Sequence, residues 1–350
     1  MSLGYLYSPV FLEHAEAGHP ESPQRLDAIL TAWEDAGLLQ LMKRIEARPA
    51  RDSALLAVHS QEHLDKILAA DRIGGAYLDA DTFMNSRSRE AAYLAAGAAI
   101  GAVDAVMKHS VDTAFALVRP PGHHATRDLA MGFCLFNNVA VAAQHALDRY
   151  HLERVLVVDF DVHHGNGTQD IFYESPNILY FSTHRYPFYP GSGHWRDTGL
   201  GAGAGFTLNV PLPHSVGDEM FARIFEEILY PAAARYQPEL VLVSAGYDAH
   251  FRDPLGALML LTSEGYWRMT RVLRSIARDF AKGRLAFVLE GGYELDALAA
   301  SATASALALL DAQDPPDPLG RPSRPERDVR DLIGHLRSFH RLDPASRAIG

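Results

Sequence analysis

Short apolar runs rich in β-branched residues alternate with segments of helical period along most of the chain. The runs are 113–118 (TAFALV), 154–160 (RVLVVDF), 178–183 (ILYFST), 206–210 (FTLNV), 239–245 (ELVLVSA) and 285–290 (LAFVLE). Most lack polar alternation, which predicts strands buried on both faces. Between them the period predicts helices over 137–150, over 218–236, and from Ser263 to a stop at Gly283. Phe221, Phe225, Ile228 and Leu229 form the apolar stripe of the second, with Asp218 placed to cap it. Tyr266, Met269, Leu273, Ile276 and Phe280 form the stripe of the third. The first hundred residues predict mostly helix, around 23–37, 61–71 and 89–109. Alternating helices and buried strands predict a mainly parallel α/β sheet. The Pro- and charge-rich stretch 314–327 reads as a connector, followed by a short amphipathic helix over about 328–341. The expected organisation is one domain over 1–312, with 313–350 as the connector and helix packed on it.

Composition narrows the class. The chain has 350 residues, 32 Lys plus Arg against 43 Asp plus Glu, a net charge of −11, and 48 % hydrophobic residues. That is a globular balance with length enough for a large core. A single cysteine, Cys134, excludes a disulfide framework and suits a reducing compartment, so a cytoplasmic location is expected. The first sixteen residues lack a basic n-region, so no signal peptide is expected. The apolar stretch 91–107 contains Asp104 and falls short of the roughly 20 apolar residues of a membrane span, so a buried helix is expected. The acidic balance argues against direct nucleic-acid binding. The sequence is compatible with a homo-oligomer but does not fix the oligomeric state.

The unusual polar residues follow the strands. The run at 113–118 leads into Arg-Pro-Pro-Gly-His123-His124, and 154–160 leads into Asp161-Val162-His163-His164-Gly165-Asn166. The run at 239–245 leads into Gly-Tyr-Asp248-Ala-His250, and 285–290 into Gly291-Gly292-Tyr293. Ligands of open parallel sheets bind at the carboxyl ends of the strands. Four strand ends therefore deliver carboxylates, imidazoles and a phenol to one rim. Asp159, Asp161 and His163 are spaced by two and point the same way on an extended segment. Asp and His ligands suit zinc or a similar divalent metal, with Asp248 as a third ligand. The plain alternative is a buried Asp161–His163 ion pair. His123 and His124 are candidate acid and base, with Asp159 and Asn166 as orienting acceptors. Their plain alternative is a histidine pair bonded to backbone. The phenol of Tyr293 would donate to an oxyanion, or simply pack at a helix start. Cys134 has apolar neighbours and reads as a buried residue rather than a nucleophile. The glycine run 199–205 precedes a strand, so it reads as a loop and not a dinucleotide motif. His14, His109 and His340 read as surface residues.

These motifs resemble the zinc-dependent histone deacetylase superfamily. The resemblance rests on RPPGHHA (119–125), GFCLFNN (132–138), VDFDVHHGNGTQ (158–169), PGSG (190–193), SAGYDAH (244–250) and EGGY (290–293). HPESPQRL (19–26) and Asn166 are similar to its class II branch, which includes bacterial deacetylase-like amidohydrolases. The resemblance implies a single arginase-like three-layer α/β/α fold. It implies Asp161, His163 and Asp248 as zinc ligands and His123 and His124 as catalytic histidines backed by Asp159 and Asn166. It implies Tyr293 as the carbonyl-polarising tyrosine. Phe133 and Tyr189, with Gly132, Leu255 and Gly292, would border the acyl-lysine tunnel. Tyr189 stands where the family usually has Phe, and Leu255 where its polyamine-selective branch has Glu. A structural potassium would draw on Asp159, Asp161, His163 and Ser182. Asp79 and Asp81 lie in a loop suited to grip substrate backbone.

The implied reaction is metal-assisted hydrolysis of acetyl-lysine in a protein or peptide, or of an acetylated polyamine. A dinuclear ureohydrolase would need an acid where Asn166 stands. A non-catalytic acyl-lysine reader would have lost a ligand or the tyrosine, and neither is lost.

Overall fold

The computed structural model describes residues 2–256, 258–313 and 317–342. Ten strands occur among them: β1 Leu3–Tyr7, β2 Lys43–Glu46, β3 Gly75–Tyr77, β4 Phe83–Asn85, β5 Thr113–Ala116, β6 Val155–Asp159, β7 Ile178–Arg185, β8 Thr207–Leu212, β9 Leu240–Ala245 and β10 Leu285–Leu289. Eight form one sheet in the order β2-β1-β5-β10-β9-β6-β7-β8. Every neighbouring pair in it is parallel. β3 and β4 form a separate antiparallel hairpin. β5, β6, β9 and β10 are buried along their whole length, as their unbroken apolar runs require.

Flanking helices pack in two groups. Ser88–Met107 and Asn138–Tyr150 pack on each other and on the sheet. Gln24–Asp35, Ser263–Phe280 and Leu295–Leu309 form the second group. This is the expected α/β fold with a central parallel sheet. Ser88–Met107 is long and apolar enough to cross a membrane, so its length does not argue against a span. Its burial within the protein accounts for the apolar character instead.

Several elements differ from the sequence expectation. β1, β2 and Leu295–Leu309 were absent from it. That helix is apolar on most of its surface, so no amphipathic stripe marks it. Residues 218–236 are one helix interrupted by a π turn at Phe225–Leu229. Asp218 does not cap it. Gly217 holds the cap position, and Asp218 accepts from Thr262 N–H at 2.9 Å and Thr262 Oγ1 at 2.6 Å. The C-terminal helix spans Arg330–Phe339 and buries Ile333 and Leu336. Residues 314–316 of the connector and 343–350 lie outside the described residues.

Candidate active site

Strand order decides where the chemistry collects. β5, β10, β9 and β6 are consecutive neighbours, so the segments leaving their carboxyl ends lie side by side. Asp161, His163 and Asp248 offer ligand atoms that all lie within 4.8 Å of one another. His163 Nδ1 is 3.1 Å from Asp161 Oδ1 and 3.1 Å from Asp248 Oδ2. The other carboxylate oxygens are held by backbone. Gly291 N–H donates to Asp161 Oδ2 at 2.9 Å, and Val162 N–H to Asp248 Oδ1 at 2.8 Å. Only glycine allows this approach: a Cβ at Gly246 would stand 2.0 Å from Asp161 Oδ2, and one at Gly291 2.4 Å from Asp248 Oδ2. Burial and the Asp161 charge push Asp248 up to about 7. Two buried carboxylates on one imidazole favour a cation between them. The donor set of two oxygens and one nitrogen fits a divalent metal.

Asp159 does not join this group, although the spacing put it on the same face. β6 ends at Asp159, and the chain turns there. Asp161 N–H donates back to Asp159 Oδ1 at 3.2 Å, and His163 N–H to Asp161 Oδ1 at 2.9 Å. Asp159 Oδ2 instead accepts from His123 Nδ1 at 3.0 Å and from the Tyr180 hydroxyl at 3.1 Å.

His123 and His124 lie with ring centres 4.0 Å apart. His124 donates from Nδ1 to Asn166 Oδ1 at 2.8 Å. Asn166 Nδ2 faces the His124 carbonyl at 3.4 Å, which fixes the amide orientation. Burial opposes charge on both rings. At His123 the carboxylates of Asp159 and Asp161 overcome it and raise the pKa to about 10. At His124 the charges of His123 and His163 add to burial, and the pKa falls well below that of a free imidazole. The two rings are thus biased in opposite directions, His123 toward the cation and His124 toward the neutral form, as acid–base work needs. His123 Nε2 is 3.9 Å from Asp161 Oδ1, which ties the pair to the carboxylate–histidine triad.

Tyr293 stands beside this group. Its N–H donates to Asp253 Oδ2 at 2.7 Å, and the Arg25 guanidinium lies 5.0 Å from its ring centre. Burial and then the Asp248 charge hold its phenol well above the ordinary pKa, so it stays a proton donor. Gly292, at φ +115°, accepts from Arg25 Nε at 2.5 Å through its carbonyl.

The remaining expected residues take these places. Phe133 packs edge-on against Tyr293 at 5.8 Å and His19 at 4.7 Å. Tyr189 packs edge-on against His124 at 5.1 Å and is 39 % exposed. Gly132 has φ +56°, and a Cβ there would stand 2.5 Å from His124 Cδ2. Leu255 lines a cavity of about 350 Å³ with Phe188, Phe251 and Met259. Ser182 is the cross-strand partner of Asp159, and its Oγ lies 2.9 Å from His184 Nδ1. Asp79 Oδ1 accepts from Asp81 N–H at 3.0 Å and Thr82 N–H at 2.6 Å, so it shapes its own loop.

Residues 19–309 match the family model for the histone deacetylase domain. The chain belongs to the histone deacetylase family. It is 43 % identical over 280 residues to a histone deacetylase-like amidohydrolase of Pseudomonas aeruginosa, covering 80 % of this chain and 73 % of that one. It is 41 % identical to the chloroplastic histone deacetylase 14 of Arabidopsis thaliana, covering 85 % and 74 %. A probable deacetylase of Archaeoglobus fulgidus is 37 % identical, covering 85 % and 82 %. The crystal structure of the HDA15 HD domain superposes with a TM-score of 0.89 at 37 % identity, covering 97 % of this chain and 94 % of that one. This member of the family is accordingly a hydrolase.

Sequence reasoning passed over several supports of this deacetylase-family site. Glu290 is fully buried behind it and accepts from Gly122 N–H at 2.6 Å, His123 N–H at 3.1 Å and Ser244 Oγ at 2.9 Å. Burial raises its pKa to about 7 against the pull of His123. An acid at a fourth strand end was the signal available. Phe188, not Tyr189, stacks on His163, at 5.5 Å and 21°. Glu21 lies between Arg25 and Arg119, with Oε1 2.8 Å from Arg25 Nη1 and Oε2 2.7 Å from Arg119 Nη2. Burial favours its neutral form, but Arg119 and Arg25 hold its pKa at about 2. Arg25 also bonds the Glu290 carbonyl at 2.5 Å, so this network carries the backbone before Tyr293. No periodic pattern marks such a non-local network. His14 and His340 are buried, contrary to the surface expectation, and His14 Nδ1 lies 2.7 Å from Ser88 Oγ. Cys134 is buried, and burial raises its thiol pKa well above normal.

Proposed function

We propose that the protein is a zinc-dependent deacylase. It hydrolyses the amide of acetyl-lysine, or of a similarly acylated primary amine, to a free amine and a carboxylate. One observation carries the reading: the split histidine pair lies against the Asp161–His163–Asp248 triad, with Asp161 in contact with both His163 and His123. Asp161, His163 and Asp248 would hold the zinc. Bound there, it would supply Lewis acidity to the acyl carbonyl and acidify water.

The chain's own residues do the rest. Neutral His124 accepts the proton of the attacking water at Nε2, because Asn166 keeps its Nδ1 protonated. Cationic His123, held by Asp159, lowers the energy of negative charge developing beside it. Tyr293 donates its phenolic proton in a hydrogen bond to the oxyanion. The acyl carbon–nitrogen bond then breaks, and the leaving amine takes its proton from the histidine pair. Phe133, Phe188 and Tyr189 exclude water from the acyl chain, with Gly132, Gly292 and Leu255 bordering the entrance. A structural potassium at Asp159, Asp161, His163 and Ser182 and a cytoplasmic setting belong to the same reading.

The test is kcat/KM for an acetyl-lysine peptide and an acetylated polyamine on zinc-loaded protein. A peptide preference of about tenfold, near 1.4 kcal/mol of differential transition-state binding, supports a protein lysine deacylase. The reverse preference assigns the same chemistry to polyamines. Turnover of neither overturns the proposal.

A further inference from the structure

The matched family domain ends at residue 309, yet the chain continues and touches both loops that frame the site. One loop, described over 250–256 and at 258, leaves β9 beyond Asp248. His250 is fully buried there, and Asp317 Oδ2 accepts from its Nε2 at 3.2 Å. Asp317 also accepts from Ser263 N–H at 2.7 Å and from Leu319 N–H at 2.7 Å. Within the loop, Asp253 N–H donates to the His250 carbonyl at 2.9 Å. Asp253 Oδ2 in turn accepts from the N–H groups of Tyr293 at 2.7 Å and Glu294 at 3.1 Å. Arg324 Nη2 donates to the Leu258 carbonyl at 3.0 Å on the rim of the same loop.

The second loop, 186–200, carries Phe188 and Tyr189. Its Trp195 is met edge-on by His335 at 4.6 Å and by Phe339 at 4.8 Å, both on the C-terminal helix. That helix is fixed to the body independently of the loop. Ile333 and Leu336 are buried, Arg337 Nη1 pairs with Glu227 Oε2 at 3.0 Å, and Arg235 Nη1 donates to the His340 carbonyl at 2.7 Å. The loop itself is half-exposed, and Phe188 and Tyr189 are 37 % and 39 % exposed. The loop is held to the body at Ser192, whose Oγ lies 2.8 Å from His164 Nδ1, and at the Gly193 carbonyl, 2.8 Å from His184 Nε2, so the Trp195 contacts add a further tie beyond these two.

We infer that residues 317–342 form a clasp that sets both walls of the substrate entrance, with Asp317, His335 and Phe339 as positioning residues. His335 and Phe339 act on the Phe188–Tyr189 wall through Trp195. Asp317 acts on Tyr293 through His250 and Asp253. The two arms therefore have different kinetic signatures. Loosening the aromatic wall weakens hold on the acyl carrier, and loosening Tyr293 weakens oxyanion stabilisation. This rests on the proposed deacylase reading for its kinetics but not for its structural readout.

The experiment uses the full chain and two variants, Asp317→Ala and the double variant His335→Ala/Phe339→Ala. Hydrogen exchange is read first, without substrate or metal. The double variant is expected to accelerate exchange of amides in 186–200, and Asp317→Ala those in 250–258, while amides of β6 and β9 stay protected. Kinetics follow on zinc-loaded protein with an acetyl-lysine peptide. The double variant is expected to raise KM about tenfold with kcat within about twofold, and Asp317→Ala to lower kcat about tenfold with KM little changed. Unchanged loop exchange overturns the clasp, and so does acceleration spread evenly over the sheet. Equal losses of kcat in both variants also overturn it, because a merely structural role has no such division. If the unaltered protein turns over no acyl amine, the deacylase reading fails while the exchange result still decides the clasp.

Discussion

His124 donates its Nδ1 proton to the amide oxygen of Asn166, 2.8 Å away, whereas His123 beside it donates to the carboxylate of Asp159. The neutral acceptor gives His124 a fixed tautomer without the charge that would hold a second proton. Asn166→Asp supplies that charge. The pKa of His124 is expected to rise, moving the acid limb of the kcat/KM profile to higher pH. An acid limb that stays in place would remove His124 from the role of base.

Tyr293→Phe keeps the ring against Phe133 and Arg25 and removes only the hydroxyl. A lost oxyanion donor typically costs about 10²–10³ in kcat, with KM little affected. Steady-state kinetics on an acetyl-lysine peptide measures this directly. A variant as fast as the parent would exclude the donor role.

Removing the metal with a chelator is expected to abolish turnover, and stoichiometric zinc to restore it. Stability should follow. A ligand bound only by the folded state adds about 2.7 kcal/mol at a hundredfold excess over Kd. Thermal unfolding with and without zinc reads this, and Asp248→Asn should blunt the difference. No zinc-dependent shift in Tm would argue that the triad is a plain ion-pair cluster.

Glu21 lies between two buried guanidinium groups. Glu21→Gln leaves Arg25 and Arg119 without a countercharge, which typically costs about 3–5 kcal/mol. Denaturant unfolding should show the loss, and kcat should fall as well, since Arg25 holds the Gly292 and Glu290 carbonyls.

His59 gives a pH signature away from the site. Its Nδ1 donates to the Thr126 carbonyl at 2.8 Å, and its Nε2 accepts from Asn137 N–H at 2.9 Å. Burial, and then the neighbouring His63, lowers its pKa to about 3. The unfolded chain therefore binds a proton near pH 6.5 that the folded chain refuses. This contribution is complete above about pH 6.5 and is lost toward pH 3 at about 1.4 kcal/mol per unit. His59→Gln is expected to be less stable at pH 7, with the gap to the parent closing as pH falls to 4.

Much of the fold was legible because its signals are local. The buried strands announce themselves as unbroken apolar runs, and Asn137, predicted at a helix start, caps that helix through Ala140 N–H at 3.0 Å. β2 (Lys43–Glu46) was illegible because an exposed edge strand of charged residues has no apolar run. Leu295–Leu309 was illegible because burial on most sides erases the helical period. The candidate site was legible in part for the same reason: each strand end carries its own cluster, and Asp161 and His163 sit two apart.

By itself the sequence determined the residue types at each strand end, the parallel α/β class and the family that those motifs resemble. Only the tertiary structure decided which ends are neighbours. The order β5-β10-β9-β6 brings Asp248 to Asp161 across 86 intervening positions and sends Asp159 to His123 instead of the triad. It also closed the chain beyond the family domain onto His250 and Trp195. The physical reason is common to all three. Apolar periodicity is set by each residue's near neighbours, whereas the partner of a buried charge is whatever the packed sheet places within reach.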